Sequence, residues 1–301
     1  MHPVRTVPSG PLAPSELILN ADGSVYHLGL KPGEVAQTVV IVGDPDRVDT
    51  VAQRFDSERV RTSNREFAAV TGTLRGKELT VVSTGIGVDN IDIVLNELDA
   101  VVNIDFDTRM LRPDPVQLDL IRLGTSGTFG PEIPLGTIVA SAYAVGMEGL
   151  AWHYDLEETH DAAALSRAFA SHTQWNPKLA QPYAVASDPD LLARFGEGAL
   201  PVITLTANGF YGPQLRQVRL PVTDLGLLER LQTFSYGGVP MGNFEMECAG
   251  IYALGSALGH RVLTLCVLLA QRAQGHFVEN PPAHVDRLLD HFFDRFTRPQ
   301  C

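Results

Sequence analysis

The sequence predicts an α/β protein, a single domain of three layers (αβα) around a central mixed β-sheet. Three observations lead there. Apolar runs of strand length alternate with amphipathic helical patterns along the 301 residues. Strands separated by helices require a parallel or mixed sheet covered on both faces. No linker, internal repeat or low-complexity tract divides the chain, and 45% hydrophobic residues suffice for a large core.

The elements follow in order. Residues 1–20, beginning "MHPVRTVPSGPLAPSE", read as a loose leader without the apolar region of a signal peptide. The domain is expected over 21–301. "TVVIV" (38–42) is a buried strand, followed by a helix from Pro45 to about Phe55, with Asp44 as its cap and Pro45 at its first position. "FAAVTGTLRGKELTVVST" is a hairpin turning at Arg75-Gly76-Lys77. "GIGVDNIDIVLNELDAVV" is a glycine turn opening a second helix. "LDLIRLGTSG" is a strand ending in glycines; "GTIVASAYAV" and "LPVITLTAN" are further strands. "NFEMECAGIYALGSALG" reads as a helix with Met246, Ile251, Leu254 and Leu258 on one face. "HRVLTLCVLLA" is the last core strand and "PPAHVDRLLDHFFDRF" the terminal helix. Stretches 103–117 and 155–190 read as loop insertions, and His153, His160 and His172 as solvated loop histidines.

Composition narrows the function. A net charge of −12 argues against nucleic acid and against anionic membrane surfaces. The apolar stretch Val262–Ala270 falls far short of the ~20 residues that cross a bilayer. Three cysteines, Cys248, Cys266 and Cys301, without a CxxC pair, fit a reducing compartment, and the expected location is cytoplasmic. Nine scattered histidines without HxH or HExxH spacing suggest no metal site.

In sheets of this kind ligands bind beyond the carboxyl ends of the strands. Three such ends carry glycine beside polar residues: Gly43-Asp44, Thr84-Gly85-Ile86-Gly87 and Gly124-Thr125-Ser126-Gly127. Glycine lets backbone N–H groups approach an anion, and a helix N-terminus favours negative charge. Arg47 and Arg122 stand beside two of these turns. The dull alternative is a capped helix and surface arginines.

Read together, "VYHLGL" (25–30), "GDPDR" (43–47), "SNREF" (63–67), "STGIG" (83–87), "RLGTSG" (122–127), "FYGPQLR" (210–216) and "NFEMEC" (243–248) resemble, in order and spacing, the uridine phosphorylases of the purine/uridine nucleoside phosphorylase family. The resemblance implies a nucleoside-phosphorylase-like fold and the reversible conversion of uridine and phosphate to uracil and ribose 1-phosphate. It implies a phosphate site of Gly43, Arg47, Arg122 and Thr125, joined by Arg65 from a neighbouring subunit. Arginine suits this role because its planar fork matches phosphate oxygens. For the ribose it implies Glu247 as hydroxyl acceptor, Met246 as apolar floor, Glu245 beside them, and His27 reaching the adjacent subunit's substrate. For the base it implies Phe210 stacking on the ring, Gln214 pairing with the uracil edge, Arg216 on the oxygen that gains charge, and Arg272 nearby. Arg122, Glu247 and Arg216 are the expected catalytic residues. No cofactor is implied, with phosphate as co-substrate and room left for a structural monovalent cation. Dimers, or a trimer of dimers, with shared sites are expected.

The family's purine branch carries Ser-Asp after the last strand, where this chain reads "LLAQRAQ". That favours uridine over a purine nucleoside. A hydrolytic nucleosidase has no need of several arginines at the water position. A dinucleotide-dependent oxidoreductase lacks its GxGxxG after Val42. A non-catalytic nucleoside-binding protein stays open, since fold and function separate. Departures from the family pattern are Tyr211-Gly212-Pro213, Leu215, Gln271 and the 103–117 stretch; they cluster around the base pocket and loops and leave the phosphate positions intact.

Overall fold

The computed structural model describes residues 10–299; residues 1–9 of the expected leader, and Cys301, lie outside the described residues. The chain divides into two compact units, one running to Ile121 and taking back Leu254–Arg261, the other comprising Arg122–Ala253 and Val262 onward.

In the first unit, β1 (Thr38–Val42) is fully buried from Val39 to Val42 and leads to α1 (Pro45–Ala52). Asp44 caps α1 by accepting the Asp46 N–H at 3.0 Å, and proline opens it, as expected. The helix stops at Ala52, short of Phe55. Then come β2 (Ser57–Asn64), β3 (Phe67–Leu74) and β4 (Lys77–Ser83). β1 pairs parallel with β4, and β4–β3–β2 form an antiparallel meander turning at Arg75-Gly76. Helix α2 (Val88–Asn103) follows a glycine turn.

The 103–117 stretch carries a short hairpin, β5 (Ile104–Asp105) with β6 (Met110–Leu111). Arg109 in its turn donates to the carbonyls of Leu12 (2.6 Å), Ala13 (3.0 Å) and Leu17 (2.5 Å), so residues 12–17 are tied down.

Strand β7 (Asp119–Thr128) runs without a break through both Gly124 and Gly127, where the sequence suggested a terminal glycine turn. In the second unit, β8 (Ile138–Gly146) is followed by α3 (His160–His172), β9 (Tyr183–Ala186), α4 (Pro189–Phe195) and β10 (Leu200–Thr206). The 155–190 stretch is therefore largely regular structure, and His160 and His172 are the ends of a helix rather than loop residues. Thr159 caps that helix on the Ala162 N–H at 3.1 Å, a signal hidden by the polar composition around it.

Next come α5 (Leu227–Gln232), β11 (Ser235–Tyr236), β12 (Val239–Glu245), α6 (Cys248–Ala257), β13 (Arg261–Gln271), β14 (His276–Phe277) and α7 (Pro281–Thr297). β10 pairs parallel with β8 and with β12, while β13 with β8 and β12 with β7 pair antiparallel. The sheet is mixed and the fold α/β, as the sequence predicts.

"NFEMEC" is thus not helical throughout: Asn243–Glu245 end a strand, and the helix starts at Cys248. Gly238, Pro240 and Gly242 disguise β12 as a turn. Gly242 instead allows close approach to β10, since a Cβ there would sit 2.4 Å from Val202. The second unit's core gathers Phe129, Val145, Phe169, Leu205, Leu231 and Phe244. Helix α7 buries Leu288, Leu289, Phe292 and Phe296, with Phe292 stacked on Phe195 at 5.2 Å.

Candidate active site

The expected site residues fall in both units. In the first, Gly43 leaves β1 immediately before the cap of α1, and Arg47 lies in the first turn of that helix. A Cβ on Gly43 would meet nothing nearer than the Gly85 carbonyl at 3.5 Å, so packing within the unit does not demand glycine there. Arg65 is exposed at the tip of the β2–β3 hairpin with φ 56°, a left-handed conformation uncommon for a side chain of its size.

His27 is held by a residue that sequence reasoning missed. Glu97, on α2, accepts the N–H groups of His27 (3.0 Å) and Leu28 (2.8 Å). Its Oε1 also lies 2.6 Å from His27 Nδ1. A carboxylate only accepts, so Nδ1 carries the proton in that bond and Nε2 is left for another partner. Only the register of α2 brings Glu97 there, and nothing in its local sequence signals it.

In the second unit, β7 carries Arg122 and Thr125. Arg122 is buried, its Nη2 donating to Glu247 Oε2 and lying 3.6 Å from Glu245 Oε2. Nη1 lies 3.4 Å from the Cys266 sulfur. Burial alone would lower the guanidinium's pKa, but the carboxylates of Glu247 and Glu245 raise it overall. The side chain crosses directly over Gly124, where a Cβ would fall 1.8 Å from Arg122 Nη1. This glycine is a requirement of the arginine's path.

A polar chain links β10, β12 and β7: Thr204 Oγ1 donates to Asn243 Oδ1 (2.8 Å), and Asn243 Nδ2 donates to Ser126 Oγ (2.9 Å). Thr125 is half-buried beside Ser126. Glu245 and Glu247 are both buried, and Met246 between them is half-buried. Burial pushes the Glu245 carboxyl up to about 7, with Arg122 opposing and Glu247 reinforcing the shift.

The base-loop residues also meet. Gln214 is 3% exposed, and its Oε1 accepts from Arg216 Nη1 at 2.6 Å. The same nitrogen donates to the Phe210 carbonyl at 2.6 Å, while the guanidinium stacks 3.7 Å from the Phe210 ring centroid. One face of Phe210 is therefore covered by Arg216. Burial, followed by Arg272, lowers Arg216 to about 10. Arg272 donates to the Leu215 carbonyl at 3.3 Å, and its own N–H to the Thr128 carbonyl at 3.0 Å. Leu215 has φ 61°.

Two departures from the family pattern have local explanations. A Cβ on Gly209 would approach Pro213 to 2.9 Å, so Gly209 makes room for the Gly-Pro order. Gln271 ties down the loop after β7, donating to the carbonyls of Pro131 (2.9 Å) and Ile133 (3.3 Å). Among the described residues, no group of three or more His, Cys, Asp or Glu is placed to hold a metal. No helix among them is long and apolar enough to cross a membrane.

Comparison with known proteins follows this geometry. The family model described as the phosphorylase superfamily matches residues 37–294. A uridine phosphorylase of Thermococcus kodakarensis is 29% identical over 259 residues, covering 85% of this chain and 80% of its own length. The Treponema pallidum uridine phosphorylase is 35% identical over 258 residues, covering 83% and 84%. DeoD-type purine nucleoside phosphorylases also match, at 26% identity over 80% of this chain. Among solved structures, a Trypanosoma brucei nucleoside phosphorylase with uridine phosphorylase activity aligns with TM-score 0.85 and 27% identity, over 93% of this chain and 98% of its own.

Proposed function

Because the chain belongs to the phosphorylase superfamily, we propose that it is an enzyme that cleaves uridine with inorganic phosphate, giving uracil and ribose 1-phosphate. One observation carries the reading: a buried arginine, led across Gly124, is bonded to a buried glutamate on the turn before α6. In this reading the arginine is the anion ligand and the glutamate the acceptor for a ribose hydroxyl.

In this reaction a phosphate oxygen attacks C1′ of the ribose. The C1′–N1 bond breaks and its electron pair leaves with the uracil ring. Gly43, Arg47, Arg122 and Thr125 hold the phosphate, and a neighbour's Arg65 completes the set. Glu247 accepts from the ribose and favours the positive charge that develops on the sugar. Met246 packs beneath it. Gln214 pairs with the base edge, and Arg216, with Arg272 behind it, neutralises the oxygen that gains charge. Phe210 offers the base an edge and one free face. The enzyme works without a resident cofactor. It assembles as dimers, alone or in threes, in which His27 and Arg65 serve the adjoining subunit, and it acts in the cytoplasm.

Uracil release from uridine, with and without phosphate and beside inosine, tests the proposal. Phosphate-dependent release with inosine inert is expected. Inosine cleavage alone would instead select the purine activity of the DeoD-type relatives, and release without phosphate a nucleosidase.

A further inference from the structure

β10 and β12 end side by side in parallel register, with Thr206 directly opposite Glu245. Thr206 Oγ1 donates to Glu245 Oε1 at 2.5 Å. Glu245 Oε2 accepts two backbone N–H groups, those of Glu247 and Cys248, each at 2.8 Å. The Ala249 N–H donates to Thr206 Oγ1 at 2.9 Å. Both side chains are buried, at 0% and 4% exposure.

Three N–H groups at the start of α6 are therefore satisfied by two side chains rather than by water, and unsatisfied buried donors are costly. We infer that Thr206 and Glu245 are positioning residues: together they cap α6 and fix the turn that presents Met246 and Glu247. Three of the four acceptor positions of the Glu245 carboxylate are thus taken up within the protein, which turns it toward the helix end rather than toward a sugar. This assigns Glu245 a role besides the ribose contact expected of it, and it rests on the proposed phosphorolysis, in which Glu247 meets the sugar. A carboxylate at that helix end is also favoured by the helix dipole.

The test has two parts, so that failure of the cap and failure of the proposed activity can be told apart. Unfolding of wild type, T206V, E245Q and the double variant probes the cap alone. The expected result is a fall in midpoint for each single variant, with the double variant falling no further than the larger single. Falls that simply add would overturn the shared cap. Uridine phosphorolysis by T206V, T206S, E247Q and T206V/E247Q then probes the consequence. We expect T206S within about threefold of wild type, T206V at least tenfold lower in kcat/KM, and no further loss when T206V is added to E247Q. A folded T206V with wild-type kcat/KM, or losses that multiply with those of E247Q, would overturn the positioning role. Should T206V not fold, Glu245→Asp, which keeps the charge but withdraws it by one methylene, carries the same expectations. A wild-type protein inactive with uridine would refute the activity and leave the unfolding result standing.

Discussion

Arg122 and Glu247 hold each other in the described structure, with their side chains only 6% and 5% exposed. At that depth solvent screens the pair little. The arginine assigned to phosphate and the carboxylate assigned to ribose are thus a single electrostatic unit, and substrates that engage either one act on both.

Arg122→Ala should abolish saturation by phosphate and cut turnover at least a hundredfold. It also strands two buried carboxylates, a kind of loss that costs about 3–5 kcal/mol of stability. Steady-state kinetics against phosphate and urea unfolding check the two effects separately. Arg122→Lys should retain more stability than activity, because it keeps the charge but loses the two-pronged geometry.

Gly124→Ala tests the arginine's path without touching its charge. The new Cβ would occupy space 1.8 Å from Arg122 Nη1, so the guanidinium must move. A rise in phosphate KM of tenfold or more is expected, with a stability loss of about 1–3 kcal/mol typical of overpacking. Wild-type phosphate saturation in this variant would contradict the path described.

Gln214→Ala should remove uridine turnover while leaving the phosphate site intact. The truncation takes away both the base-edge pairing and the oxygen that accepts from Arg216. A drop of at least tenfold in kcat/KM for uridine, with phosphate binding by calorimetry unchanged, is expected. An equal loss on both substrates would mean that the loop has collapsed.

Stability should depend on pH through Glu245, which faces Arg122 and Glu247. Its carboxyl is raised from 4.5 to about 7, chiefly by burial. Between those values the folded protein holds a proton that the unfolded chain has released. The stability so contributed is full below about pH 4.5 and is lost as pH rises through about 7. Urea unfolding at pH 5.5 and 7.5 should therefore show a larger decline for wild type than for Glu245→Gln.

Local signals in the sequence were legible where local physics decides. Asp44 and Pro45 open α1 as written, and Arg75-Gly76 turns the hairpin, because caps and tight turns depend on the residues themselves. β12 was hidden because Gly238, Pro240 and Gly242 argue against a strand, while its pairing with β10 and β7 argues for one more strongly. Helix α3 was hidden by its polar surface. At the site, the arginines and the "EMEC" glutamates could be picked out by their resemblance to a family. The roles of Glu97, Thr206 and Gly124 could not, since each depends on a register between strands or helices far apart in sequence.

The most direct measurement is the release of uracil from uridine as phosphate is varied from zero to saturation. Phosphorolysis predicts no release at zero phosphate, a saturating rise as it is added, and ribose 1-phosphate formed in equal amount to uracil. Uracil released at the same rate without phosphate, with free ribose as the other product, would contradict the account.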